Sequence, residues 1–78
     1  MTRQPKNPLT QISIIMLKLI MLSYGRWLVL LDGHWSRRFA NPEQHALLLE
    51  RSARPEFGKF REIKENDFFA IMELEPLL

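Results

Sequence analysis

The chain contains no cysteine, which excludes a disulfide staple and a thiolate-bound zinc site. That absence leaves the compartment open, because reduced intracellular proteins and simple secreted ones can both lack the residue. Histidine is nearly as scarce. His34 and His45 are the only two, and they are not spaced as the i, i+4 pair that puts two ligands on one helix face. No nucleophile, base and orienting group gather around either one, so the sequence carries no catalytic signature. A charge excess is lacking too: the net charge of +2 is too small to mark a nucleic-acid protein by itself. The expectation is a non-enzymatic chain with no cofactor and no metal.

What the chain does have is apolar surface. Its 78 residues are 46% hydrophobic and 26% charged, a globular composition. The length fits one domain with a thin core, since a chain this short buries little more than about 60% of its unfolded surface. Pro5 and Pro8 stand among polar residues, so residues 1–8 read as a flexible lead-in and residues 9–78 as the domain.

Residues 12–22, Ile-Ser-Ile-Ile-Met-Leu-Lys-Leu-Ile-Met-Leu, are the most concentrated apolar stretch. Wound as a helix, the side chains from Leu9 to Tyr24 cover most of the wheel, leaving Gln11 and Lys18 in the open strip. Thr10 suits the N-cap and Gly25 the stop, which predicts a first helix over about residues 11–23. A helix so apolar needs cover on nearly every side. The expected cover is a second copy or a larger protein, met by Ile12, Ile15, Met16, Leu19, Ile20, Leu22 and the following Trp27.

The same run invites two other readings. Arg3 and Lys6 precede it as in a secretory signal, but Lys18 interrupts it and no small-x-small cleavage site follows. Residues 9–31 are also long enough to span a bilayer, which takes about 20 apolar residues. Lys18 near the centre costs roughly 2.5–3.5 kcal/mol there, against a return of about 0.3–0.6 per Leu or Ile. The expected location is therefore cytoplasmic, with a membrane-anchored small subunit held by residues 9–31 as an alternative.

Arg26–Leu31 is an apolar run of strand length, and Asp32-Gly33 is a dipeptide favoured in two-residue hairpin turns. His34–Phe39 returns as the partner strand, with Trp35, Arg37 and Phe39 on one face and His34, Ser36 and Arg38 on the other. Asn41-Pro42-Glu43 then opens a helix: asparagine caps, proline suits the first helical position, and glutamate favours the positive end of the dipole. This second helix is predicted over Pro42 to Arg51, with Ala46, Leu47, Leu49 and Leu48 inward, and Arg54-Pro55 breaks the pattern. Over Arg26–Arg51 the strand, turn, strand and capped helix loosely resemble integrase arm-type modules, on generic turn and cap residues that define no family.

The last third has two readings. Phe57, Phe60 and Ile63 recur every three residues, as on a helix starting at Pro55. Lys59–Lys64 followed by Phe68–Leu74 reads instead as a second hairpin turning at Glu65-Asn66-Asp67, and Gly58 with Phe68-Phe69 favours this one. The predicted fold is then a small two-layer α+β domain in the order helix, hairpin, helix, hairpin.

Two charged groups deserve weighing. Glu62, Glu65, Asp67, Glu73 and Glu75 gather near the carboxyl end, but acid–base chemistry would need a pocket that shifts their pKa values, so they read as a solvated face. Arg37-Arg38, with Arg26 and His34 near and Trp27 and Trp35 interleaved, joins phosphate-pairing guanidinium groups to stacking surface. The leading expectation is thus a small protein–protein interaction module, regulatory or inhibitory, acting as a homodimer or on a larger protein. The alternative is a nucleic-acid accessory protein that works through Arg26, Arg37 and Arg38 on the hairpin.

Overall fold

A computed structural model describes residues 15–54 and 58–74. The element order is β1 (Met16–Ser23), β2 (Arg26–Leu31), β3 (His34–Phe39), α1 (Pro42–Arg51), β4 (Arg61–Lys64) and α2 (Glu65–Met72). The strands form one antiparallel sheet in the order β3-β2-β1-β4. Both helices serve one side of it, and the fold is α+β.

The predicted order of helix, hairpin, helix, hairpin is therefore incorrect at both ends. The stretch read as a first helix is, from Met16 onward, the inner strand β1, and residues 9–14 lie outside the described residues. Two-sided apolarity is shared by a helix covered all round and a strand covered on both faces, so periodicity alone does not separate them. Gly25, read as the helix stop, sits at φ +79° in the tight turn from β1 to β2. The second predicted hairpin is a strand followed directly by a helix: Glu65-Asn66-Asp67 is the first turn of α2 and not a reversal. The 9–31 span is likewise, from Met16, a pair of strands, and no helix among the described residues is long and apolar enough to cross a membrane.

The β2–β3 hairpin turns at Asp32 and Gly33, both at positive φ, the combination a type I′ turn demands. Its register sets Arg26 opposite Phe39, Leu28 opposite Arg37 and Leu30 opposite Trp35. Helix α1 covers the range its capping residues predict. The Asn41 side chain accepts the Gln44 N–H at 2.7 Å, and the Gln44 side chain accepts the Asn41 N–H at 2.9 Å, a reciprocal capping box.

Strand alternation sends Leu17 and Leu19 of β1, Trp27 and Val29 of β2, and Ile63 of β4 to the helix side. There they meet Leu48 of α1 and Phe68 and Ile71 of α2 in one core. Phe68 and Ile71 stand three apart, on one face of α2. The inward face of α1 is more polar than its apolar residues predict: Gln44, His45 and Leu48 are buried, Leu47 and Leu49 half-buried, and Ala46 exposed.

Each buried polar side chain on α1 joins one element to another. His45 Nδ1 accepts from the Gly25 N–H and from Trp27 Nε1, both at 3.0 Å, and its ring lies 4.2 Å from the Tyr24 ring. The Gln44 amide donates to the Met72 and Leu74 carbonyls, tying the start of α1 to the end of α2. Arg61 of β4 donates from Nε to Ser52 Oγ and from Nη2 to the Leu49 carbonyl, both at 2.6 Å. It thereby satisfies a carbonyl that the end of a helix leaves without an intrahelical donor.

Candidate functional site

With both helices on one side, the other face of the sheet has no layer over it among the described residues. Alternation and register place Met16, Lys18 and Ile20 of β1, Arg26, Leu28 and Leu30 of β2, Trp35, Arg37 and Phe39 of β3, and Glu62 and Lys64 of β4 on this open face. Its middle is apolar and its margins are aromatic or cationic. Phe39 is 67% exposed, Met16 43% and Trp35 40%.

The centre is partly sheltered by a contact from the two edges. Trp35 stands on β3 and Phe60 immediately precedes β4, so two strands separate their backbones. Their rings nevertheless stack, with centroids 5.6 Å apart and planes 23° apart. Both side chains must lean inward across β2 and β1 to meet. Leu28, Leu30 and Ile20 in between are only half-buried. Lys18 Nζ lies 5.2 Å from the Phe60 ring centroid, within cation–π range.

At the end of the sheet away from Lys64, a cleft of about 310 Å³ opens between Leu22 and Ser23 of β1, Arg26 of β2, and Arg37 and Phe39 of β3. Trp27 and Arg38, which alternation turns toward the helix side, also line it. The β1–β2 register shifts between Met21 and Ser23. Such an extra residue in one strand bends it and increases its twist. None of Arg26, Arg37 and Arg38 is ion-paired among the described residues; the Arg51–Glu50 pair lies on the exposed side of α1.

The residues singled out from sequence fall into different places. Leu19 and Trp27 are fully buried in the domain's own core. Met16 and Ile20 belong to the open face, Ile15 and Leu22 are exposed beside it, and Ile12 lies outside the described residues. Arg26 and Arg37 share the open face, whereas Arg38 lies opposite Trp27 in register and belongs to the helix side. Phe39 and Phe60 were missed as members of this surface. The alternation Trp35, Arg37, Phe39 was the available signal for Phe39; Phe60 joins through β4, which falls within the predicted strand Lys59–Lys64 but pairs with β1 and not with Phe68–Leu74.

Histidine chemistry is absorbed by structure at one of the two positions. Two N–H groups donate to His45 Nδ1, so the neutral ring carries its proton on Nε2. Burial holds its pKa below the ordinary histidine value. His34 is exposed at the start of β3.

Comparison with protein-family models, curated proteins and solved structures finds no match to this chain.

Proposed function

We propose that the chain is a non-enzymatic interaction module whose working surface is the open face of the sheet. The observation that carries this reading is the arrangement of that face. Trp35, Phe39, Phe60 and Met16 are each more than a third exposed around half-buried leucines, with Arg26, Arg37 and Lys18 between them. Large aromatic and arginine side chains supply much of the binding free energy at interfaces. The surface expected from the first predicted helix thus moves to a sheet face, where Met16 and Ile20 remain and Leu19 and Trp27 do not.

Position-specific photocrosslinking in cells tests the reading without presuming what binds. A photoreactive residue in place of Phe39 yields a defined adduct, while the same residue in place of exposed Ala46 on α1 yields none. Adducts of equal yield from both positions, or from Ala46 alone, would refute the open face as the working surface.

A further inference from the structure

Resting on that reading, we infer that the open face takes single-stranded nucleic acid, with bases stacked on Phe39 and on the Trp35–Phe60 pair and phosphates held by Arg26 and Arg37. Charge is the first argument. Lys18, Arg26, Arg37 and Lys64 share this face with Glu62. The other described carboxylates stand in the β2–β3 turn, on the helices or at their ends. The face therefore carries an excess of positive charge that the near-neutral chain as a whole conceals, which suits a polyanion.

Geometry is the second argument. Phe39 is the most exposed of the face's aromatic rings, at 67%, and it stands opposite Arg26 and one alternation step from Arg37. A ring flanked by two guanidinium groups at a cleft offers a base its stacking surface and the adjoining phosphates their donors. Trp35 and Phe60 repeat the aromatic element farther along the sheet, with Lys18 beside them. Aromatic platforms interleaved with cations bind single strands because every base has a π-face to stack. A duplex hides those faces, and a broad sheet face does not enter a groove as a helix or a two-stranded ribbon does.

The test uses the purified full chain and a fluorescently labelled oligouridylate of about ten nucleotides, followed by anisotropy. Binding is expected at low salt, weakening as salt rises with a log–log slope of about −0.7 for each phosphate neutralised. Phe39→Ala is expected to weaken binding roughly 5- to 150-fold, the loss of one stacked base. Arg37→Ala should reduce the salt slope by about 0.7, and Arg51→Ala, on α1, should change neither. Circular dichroism confirms that each variant folds. Absence of binding at low salt, equal affinity for a duplex of the same length, or equal losses from Arg51→Ala and Arg37→Ala would each overturn the inference. A Phe39-specific crosslink to protein alone, with no oligonucleotide bound, would leave the interaction module standing and remove the nucleic acid.

Discussion

Trp35 and Phe60 reach toward each other from opposite edges of the sheet and stack at 5.6 Å above its two middle strands. The contact links the β2–β3 hairpin to the segment entering β4, which no backbone hydrogen bond of the ladder does directly. A double-mutant cycle of Trp35→Ala and Phe60→Ala in urea should return a coupling of about 0.5–1.5 kcal/mol, as aromatic pairs do. Additive losses would mean that the rings shelter Leu28 and Leu30 separately.

The buried histidine makes stability depend on pH in a defined direction. Burial lowers the folded-state pKa of His45, so the unfolded chain takes up its proton first as pH falls. The contribution is fully present above the unfolded value near 6.5, declines as pH drops below it, and levels off under the folded pKa. His45→Gln retains an acceptor but cannot titrate there. Urea midpoints measured between about pH 7 and 5 should fall more steeply for the wild type than for this variant; parallel profiles would assign the acid sensitivity elsewhere.

Gly25 and Gly33 both sit at φ +79°, yet their surroundings differ. A Cβ at Gly25 would meet the Ala40 carbonyl oxygen at 2.8 Å, in backbone that the Ala40 N–H to Gly25 carbonyl bond holds in place, whereas at Gly33 nothing lies within 4 Å. Gly33→Ala should cost about 1–2 kcal/mol, the left-handed penalty alone. Gly25→Ala adds a backbone clash of about 1–3 kcal/mol. Equal shifts in thermal midpoint would show that the β1–β2 turn moves to relieve the contact.

Arg61 closes the end of α1 with a planar fork that lysine cannot reproduce. Arg61→Lys should lose about 1–3 kcal/mol by leaving the Leu49 carbonyl or the Ser52 hydroxyl without its donor. Amide exchange in the last turn of α1 should rise with it. Unchanged protection there would show that solvent replaces the guanidinium without cost.

The parts of the fold that sequence revealed are those written in local chemistry. Asp32-Gly33 specifies its own turn and Asn41-Pro42-Glu43 its own helix start, and both elements run over the ranges predicted. Strand β1 was hidden because its two faces are both apolar, one in the core and one under the aromatic pair, so alternation shows only at Lys18. Helix α2 was hidden for a different reason. Lys64 at its start makes no side-chain capping bond, and Phe68-Phe69 favour strand by propensity; packing of Phe68 and Ile71 on the core decides against that preference. The site was half legible: alternation along β3 placed Trp35, Arg37 and Phe39 together, while the facing residues depended on pairings between distant segments.

The position of β1 between β2 and β4 has a consequence for how the protein comes into being. Leu17, near the start of the described chain, finds its partner in Ile63, near the end. A meander of β1, β2 and β3 closes through local turns, but the other flank of β1 keeps open hydrogen-bonding groups until the distant β4 pairs with it. The folding chain is thus most exposed to aggregation in the interval before β4 docks, and a form cut before Arg61 would keep that strand edge open.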